Sequence, residues 1–298
     1  MNEMGQQHDR FPSPLGSSRL AGTVLALVAV LAQGCSPKTY IMGKVGNVFE
    51  GVSDSFAADD DPQLVREALP FALKLNEGLL VSSPNDLSLL ISACSGFTQY
   101  SYAFVELDSF LLQHKDFRRS RELRRRASKL YLRGRNYCFR ALEVESKGVV
   151  EALRLNPEAA VAKLDKKHID LLYWTAAAWG SAIALGQDDP ELTADLPAVR
   201  ALLERTLVLD EAFLDGALHE AMVPLEALPP SLGGSEAKAR EHFQRAVTLS
   251  GGRSAIAYVT LAETLAVSRQ DRQEFEALLN QALAIDVGAA PTGQPVGA

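Results

Sequence analysis

Apolar residues recur along most of this chain at helical spacing, with polar positions grouped on the other side of each turn. Strictly alternating runs, the mark of a half-buried strand, are scarce, so the pattern predicts an all-α protein. One short pattern comes back four times: Cys138/Ala141/Leu142/Val144, Leu203/Thr206/Leu207/Leu209, Phe243/Ala246/Val247/Leu249 and Leu279/Ala282/Leu283/Ile285. In each, a larger side chain is followed at +3 by a small one and at +4 and +6 by aliphatic ones. On a helix these share one side, and the small residue lets a neighbouring backbone come close. Tetratricopeptide units, about 34 residues long, end their second helix on a similar small–large pattern. The unequal spacing here predicts a cryptic, tetratricopeptide-like helical-repeat array of antiparallel helices.

Start and stop signals divide the array. Asp61-Pro62 predicts a helix start, with an N-cap followed by proline at the first helical position. That helix runs to about Leu80, and Pro70 inside it predicts a kink or a short break. Ser83 to Asp86 reads as a turn and a new cap, followed by a helix from Leu87 to about Gln113. Asn156-Pro157 opens a short helix. A long one rich in small and aromatic residues covers His168–Leu185, and Leu196-Pro197 starts the next. A further helix spans Gly216–Leu228, with Pro229-Pro230 as its stop. Ile41–Phe56 is mildly amphipathic.

The N-terminus stands apart from this pattern. Arg10 and Arg19 precede an apolar run from Leu20 to Leu31, which closes on Ala32-Gln33-Gly34-Cys35. A charged lead, a dozen apolar residues and a small-residue junction predict an export signal, because the run is shorter than the ~20 residues of a membrane span. Gly34-Cys35 resembles the lipobox of bacterial lipoproteins, which makes Cys35 the expected lipidation site; a plain secretory signal is the competing reading. By resemblance to the sorting of such lipoproteins, Ser36 after the cysteine favours the outer membrane. The expected organisation is a removed lipoprotein signal peptide (1–34), a tether and N-terminal segment (35–61), a tetratricopeptide-like helical domain (62–287) and a C-terminal tail (288–298). Cys94 and Cys138 lie in apolar helical patterns. Buried free thiols are the expectation for both, a disulfide being the alternative in an oxidising compartment.

The net charge of −7 disfavours a general nucleic-acid binder. A basic run from Arg118 to Arg135 invites the opposite thought, but Leu123, Ala127, Leu130, Tyr131 and Tyr137 keep a helical apolar stripe within it. A solvated helix face is the favoured reading, with lipid head groups or an acidic partner as the alternative. Catalytic signatures fail one by one. His219-Glu220 matches the start of a zincin motif, but Val223 stands where the second histidine is needed. Gly233-Gly234 and Gly251-Gly252 lack the features of a phosphate loop. Five histidines are scattered singly. The expectation is therefore no enzyme, no cofactor and no metal.

Two regions remain as candidate ligand-binding or pore-lining surfaces. Tyr173, Trp174 and Trp179 sit among alanines and could form a ligand wall, although core packing is the favoured alternative. His219, Glu220 and Glu226 share a side of the Gly216–Leu228 helix and could face a cleft, or be ordinary exposed polar residues.

Taken together, Val65–Leu75, Tyr131–Tyr137, Tyr173–Gly180, Gly216–Pro224, Gly233–Ala239, His242–Ala246 and Ala257–Thr264 resemble the T component associated with TRAP transporters, the TatT family. The resemblance covers most of the chain after Cys35. It implies a periplasmic, lipid-anchored, all-helical protein assembled as a homotrimer. The expected partner is the periplasmic solute-binding protein (P component) of a tripartite ATP-independent transporter, with a small hydrophobic ligand. An envelope scaffold holding other proteins or peptides, unrelated to transport, is the rival expectation.

Overall fold

The computed structural model of the protein describes residues 59–186 and 188–286, and every regular element among them is helical. The expected signal peptide, Cys35 and Ile41–Phe56 lie outside the described residues.

Helix α1 (Pro62–Ser82) starts where the sequence signals it, with the Asp61 carboxylate accepting from the Gln63 and Leu64 amides. It continues through Pro70 as one element, so the expected break does not occur. Asp86 caps α2 (Leu87–Tyr100) by accepting from the Leu89 amide. Without interruption α2 widens into a π-helical turn, Ser101–Glu106, and returns to α-helix as α3 (Leu107–Leu112). One inserted residue turns the following side chains by about 100° around the axis. Tyr102 and Glu106 thereby leave the core stripe of α2.

Helix α4 (Phe117–Glu145) is the longest and carries the basic run. Short α5 (Val149–Leu155) and α6 (Pro157–Val161) follow, then α7 (Ile169–Leu185), α8 (Pro190–Thr193) and α9 (Leu196–Leu209). The last third holds α10 (Ala217–Glu226), α11 (Glu236–Leu249) and α12 (Ala255–Leu261). A second π-helical turn, Ala262–Ala266, follows α12, and α13 (Arg272–Leu283) closes the array. The principal packing neighbours run α1–α2–α4–α7–α9–α10–α11 and then α12 and α13, with α2 also touching α7.

The recurring small residues face the interior. Ala141, Thr206 and Ala246 are fully buried, and Ala282 is nearly so. Gly216 shows the geometry most clearly: its φ of +103° is left-handed, and a Cβ there would stand 3.0 Å from the Ala246 carbonyl oxygen. Glycine is the residue that meets both demands. At the far end the pattern loses its partner, and Leu283 is exposed.

Helices α2 and α4 also approach closely. A Cβ on Gly134 would lie 3.0 Å from both the Cys94 carbonyl oxygen and the Thr98 hydroxyl. One turn further along α4, Cys138 is bonded to Cys94, with Cα atoms 5.3 Å apart. This corrects the expectation of two free thiols. Sequence shows that each cysteine is on an apolar face, but only the close crossing of α2 and α4 brings the sulfurs together.

Candidate functional site

Helix α7 divides its surface between two tasks. Leu171, Leu172, Thr175, Ala178, Trp179 and Ala182 are buried against α4 and α9. Asp170, Tyr173, Trp174, Ala177 and Ser181 follow one another at helical steps and keep access to solvent. The Tyr173 ring meets Trp174 edge-on at 4.9 Å and Phe213 at 5.5 Å. These aromatic residues form one wall of a polar–aromatic cluster.

Other elements supply the rest. The first π-turn brings Tyr102 and Glu106, α4 brings Tyr131, α10 brings Glu220, Ser254 precedes α12, and the second π-turn brings Glu263. The Tyr131 hydroxyl donates to the Glu106 carboxylate, and the Ser254 hydroxyl donates to Glu220. Burial pushes the Glu106 carboxyl up, against the opposing pull of Tyr131 and Arg124. Glu220 is likewise pushed up by burial, and its bond from Ser254 works the other way. Loss of solvent raises Tyr173 to about 12, helped by the fields of Glu220 and Tyr102. Tyr102 is raised by burial and by Glu106, Glu220 and Glu263 together. Burial alone raises Asp170 and Glu263.

Tyr102 nevertheless keeps 52% of its surface accessible, and Asp170 and Glu263 are also exposed. These groups are crowded by protein yet open to water. Carboxyls whose charged form is penalised, set among phenols, offer hydrogen bonds to a solute. The arrangement suits binding.

The candidate residues do not all come to this place. Tyr173, Trp174 and Glu220 are in the cluster. Trp179 points the other way: it is fully buried, 4.7 Å edge-on from Phe139, with the guanidinium groups of Arg135 and Arg154 over its ring at 5.9 and 5.8 Å. Glu226 is buried and paired with Arg200, whose Nη2 also donates to the Leu225 carbonyl at 3.1 Å and the Gly233 carbonyl at 3.2 Å.

His219 is buried in a pair with His242, their Nδ1 atoms 2.8 Å apart. Its Nε2 lies 3.2 Å from Glu211, which also accepts from Arg245 at 2.8 Å. With Nε2 donating to Glu211, a neutral His219 accepts at Nδ1 and His242 donates. A second proton would set two N–H groups against each other. Burial lowers both imidazoles, and His219 lowers His242 further. Among the described residues, no group of three or more His, Cys, Asp or Glu is placed to hold a metal.

The basic run is split by its surroundings. Arg118 and Arg119 pair with Glu122, at 3.4 and 3.2 Å. Arg126 lies over Tyr100 at 5.8 Å, Arg133 pairs with Glu77, and Arg135 lies over Phe139 at 5.0 Å. Arg121, Arg124, Arg125 and Lys129 instead line a surface recess of about 400 Å³ with Ser128, Leu185 and Asp188.

Sequence reading missed Tyr102, Glu106, Tyr131, Ser254 and Glu263. Tyr102, Glu106, Tyr131 and Glu263 sit in apolar or mixed helical stretches and Ser254 just before one, with no catalytic or ligand-binding motif around them. The one usable signal was the polar interruption of an apolar pattern, as at Glu106 and Glu263.

No helix among the described residues is long and apolar enough to cross a membrane. A protein of Treponema pallidum (strain Nichols), known only as an uncharacterized protein, is 27% identical over 281 residues, covering 88% of this chain and 87% of its own. The family model of the TRAP transporter T-component matches residues 58–294, which takes in every helix described above. The chain belongs to the TRAP transporter T-component (TAtT) family, a transporter accessory family.

Proposed function

We propose that this protein is the lipid-anchored accessory subunit of a TRAP system, docking a periplasmic solute-binding protein and holding a small ligand in the polar–aromatic cluster. The observation that carries the reading is the family match across residues 58–294, which spans every element that contributes to the cluster. Tyr173, Trp174 and Glu220 contact the ligand, together with Tyr102, Glu106 and Glu263. The aromatic rings favour a largely apolar body, and the phenols and carboxyls favour hydrogen-bonding groups on it. Trp179, His219 and Glu226 act through the scaffold. Acylation at Cys35 anchors the chain to the outer membrane, facing the periplasm, and three copies assemble. The buried Cys94–Cys138 bond supports an oxidising compartment, where such bonds form and persist.

The test is native mass spectrometry of the full-length protein isolated from its own cell envelope. A solute-binding protein at fixed ratio, with a small bound molecule that Tyr173→Ala or Glu220→Ala releases, is the expected result. Recovery of envelope structural proteins in its place, or of the protein alone, would overturn the transport reading.

A further inference from the structure

The hairpin of α3 and α4 carries exposed apolar and cationic side chains, of which Arg124 also acts on the cluster through its field on Glu106. The two helices are held together where the Ser120 hydroxyl donates to the Ser109 carbonyl at 2.7 Å. Leu107, Phe110 and Leu111 share the face of α3 turned away from Ser109 and are exposed by 49, 55 and 60%. Phe117, at the first turn of α4, is exposed by 64%. Residues 113 and 114–119 around the tip are accessible as well.

Cations crowd beside these apolar groups. Between residues 115 and 135 there are ten Lys and Arg against Asp116 and Glu122, in a chain whose net charge is −7. Phe117, Arg121, Arg125 and Lys129 follow at four-residue steps along α4, and the Arg121 guanidinium lies 5.8 Å over the Phe117 ring. Of the cations in the 400 Å³ recess, none has a carboxylate within ion-pair distance among the described residues, and Asp188 is the one acid in its lining. Exposed Leu and Phe beside Arg and Lys that make no close ion pair are the two ingredients of an interfacial membrane contact. The apolar side chains enter the boundary below the head groups, and guanidinium groups bind the phosphates.

We infer that the α3–α4 hairpin seats on an anionic bilayer surface, with phospholipid head groups in the recess of Arg121, Arg124, Arg125 and Lys129 and with Phe110, Leu111 and Phe117 in the interface. Charge complementarity selects this occupant. An acidic chain is repelled by an anionic membrane everywhere except at a local cationic face, so the hairpin sets which way the domain faces. The contact is separate from acylation at Cys35 and from ligand binding in the cluster.

The test uses the full chain with Cys35→Ser, so that no acyl group is attached, and an environment-sensitive fluorophore on Leu111→Cys. Vesicles of phosphatidylcholine alone are compared with vesicles containing phosphatidylglycerol. A blue shift on the anionic vesicles that fades with added salt is expected, with no shift on neutral ones. The same dye at Leu283→Cys, on the last helix, stays unchanged. Arg121→Gln with Arg125→Gln weakens the apparent vesicle affinity by about fivefold per cation, roughly 25-fold in all.

Three results would overturn the inference. One is a Leu111 label that stays in water while the protein sediments with vesicles through its N-terminal apolar run. Another is an equal shift on neutral vesicles. The third is a shift that grows with protein concentration without vesicles, which would mean a second copy covers this face. Failure of the transport reading would leave all of these readouts unmoved.

Discussion

Breaking the Cys94–Cys138 bond should lower the stability of the helical array by about 4 kcal/mol. The two residues are 44 positions apart in sequence. In the chain-entropy account, a closed loop of that length removes about 13 cal/mol/K from the unfolded ensemble, or about 4 kcal/mol at room temperature. Both cysteines are fully buried between α2 and α4, and reduction leaves the sulfur atoms in place, so no cavity adds to the loss. A domain of this size loses roughly 2–4 °C of Tm per kcal/mol, which gives a drop on the order of 8–16 °C. The assay is urea unfolding of oxidised and reduced protein, followed by far-ultraviolet circular dichroism. Because the effect acts on the unfolded chain, the m-value should rise on reduction as that chain expands. Equal midpoints and equal slopes in the two states would refute the reasoning. A lower midpoint with no change in slope would relocate the effect to damage in the native packing of α2 on α4.

Other substitutions follow from the same packing. Trp179→Ala should cost about 3–5 kcal/mol in urea unfolding, since the ring is fully buried against Phe139. Ligand retention by the folded fraction should stay unchanged, and selective loss of ligand would return this ring to the binding wall. Arg200→Met should cost about 3–5 kcal/mol by stranding the buried Glu226 carboxylate, whereas Arg200→Met with Glu226→Leu should recover much of it. Equal costs for the single and double variants would show that the buried charge is not the cause. The His219–His242 pair has imidazoles lowered in the folded protein, so the unfolded chain takes up protons first. Its contribution is present above the unfolded value of about 6.5 and is lost as pH falls through the folded values. His242→Gln should therefore reduce the fall in urea midpoint between pH 7.5 and 5.5, and an unaltered slope would remove the pair from the account.

Much of the helical framework could be read from local chemistry. Asp61, Asp86 and Asn156 start helices in the sequence and cap them in the fold, because a cap needs only an acceptor side chain two or three residues from the amides it satisfies. The small residues at Ala141, Thr206 and Ala246 are buried for an equally local reason, as each lies one helical turn from the large side chains of its own stripe. Pro70, which offered a kink or a short break, does not break α1, which runs on through it as one element.

The site was decided at a longer range. Tyr173 and Trp179 are six residues apart on one helix and read alike, yet that step turns them about 120° apart, one to the solvent-accessible polar–aromatic cluster and one to the core. His219 and Glu220 are neighbours, and one consecutive step of 100° separates a buried histidine pair from the polar–aromatic cluster. Tyr102 and Glu106 reach that cluster through a π-turn that no residue pattern announced, and Glu263 arrives through another. The Cys94–Cys138 bond joins helices that only the packing of α2 on α4 makes adjacent. Periodicity tells which side of a helix is apolar because that depends on the helix alone. Which neighbour covers that side, and which polar groups from distant helices meet in the space left open, depends on how the helices stack, and there the tertiary structure decides.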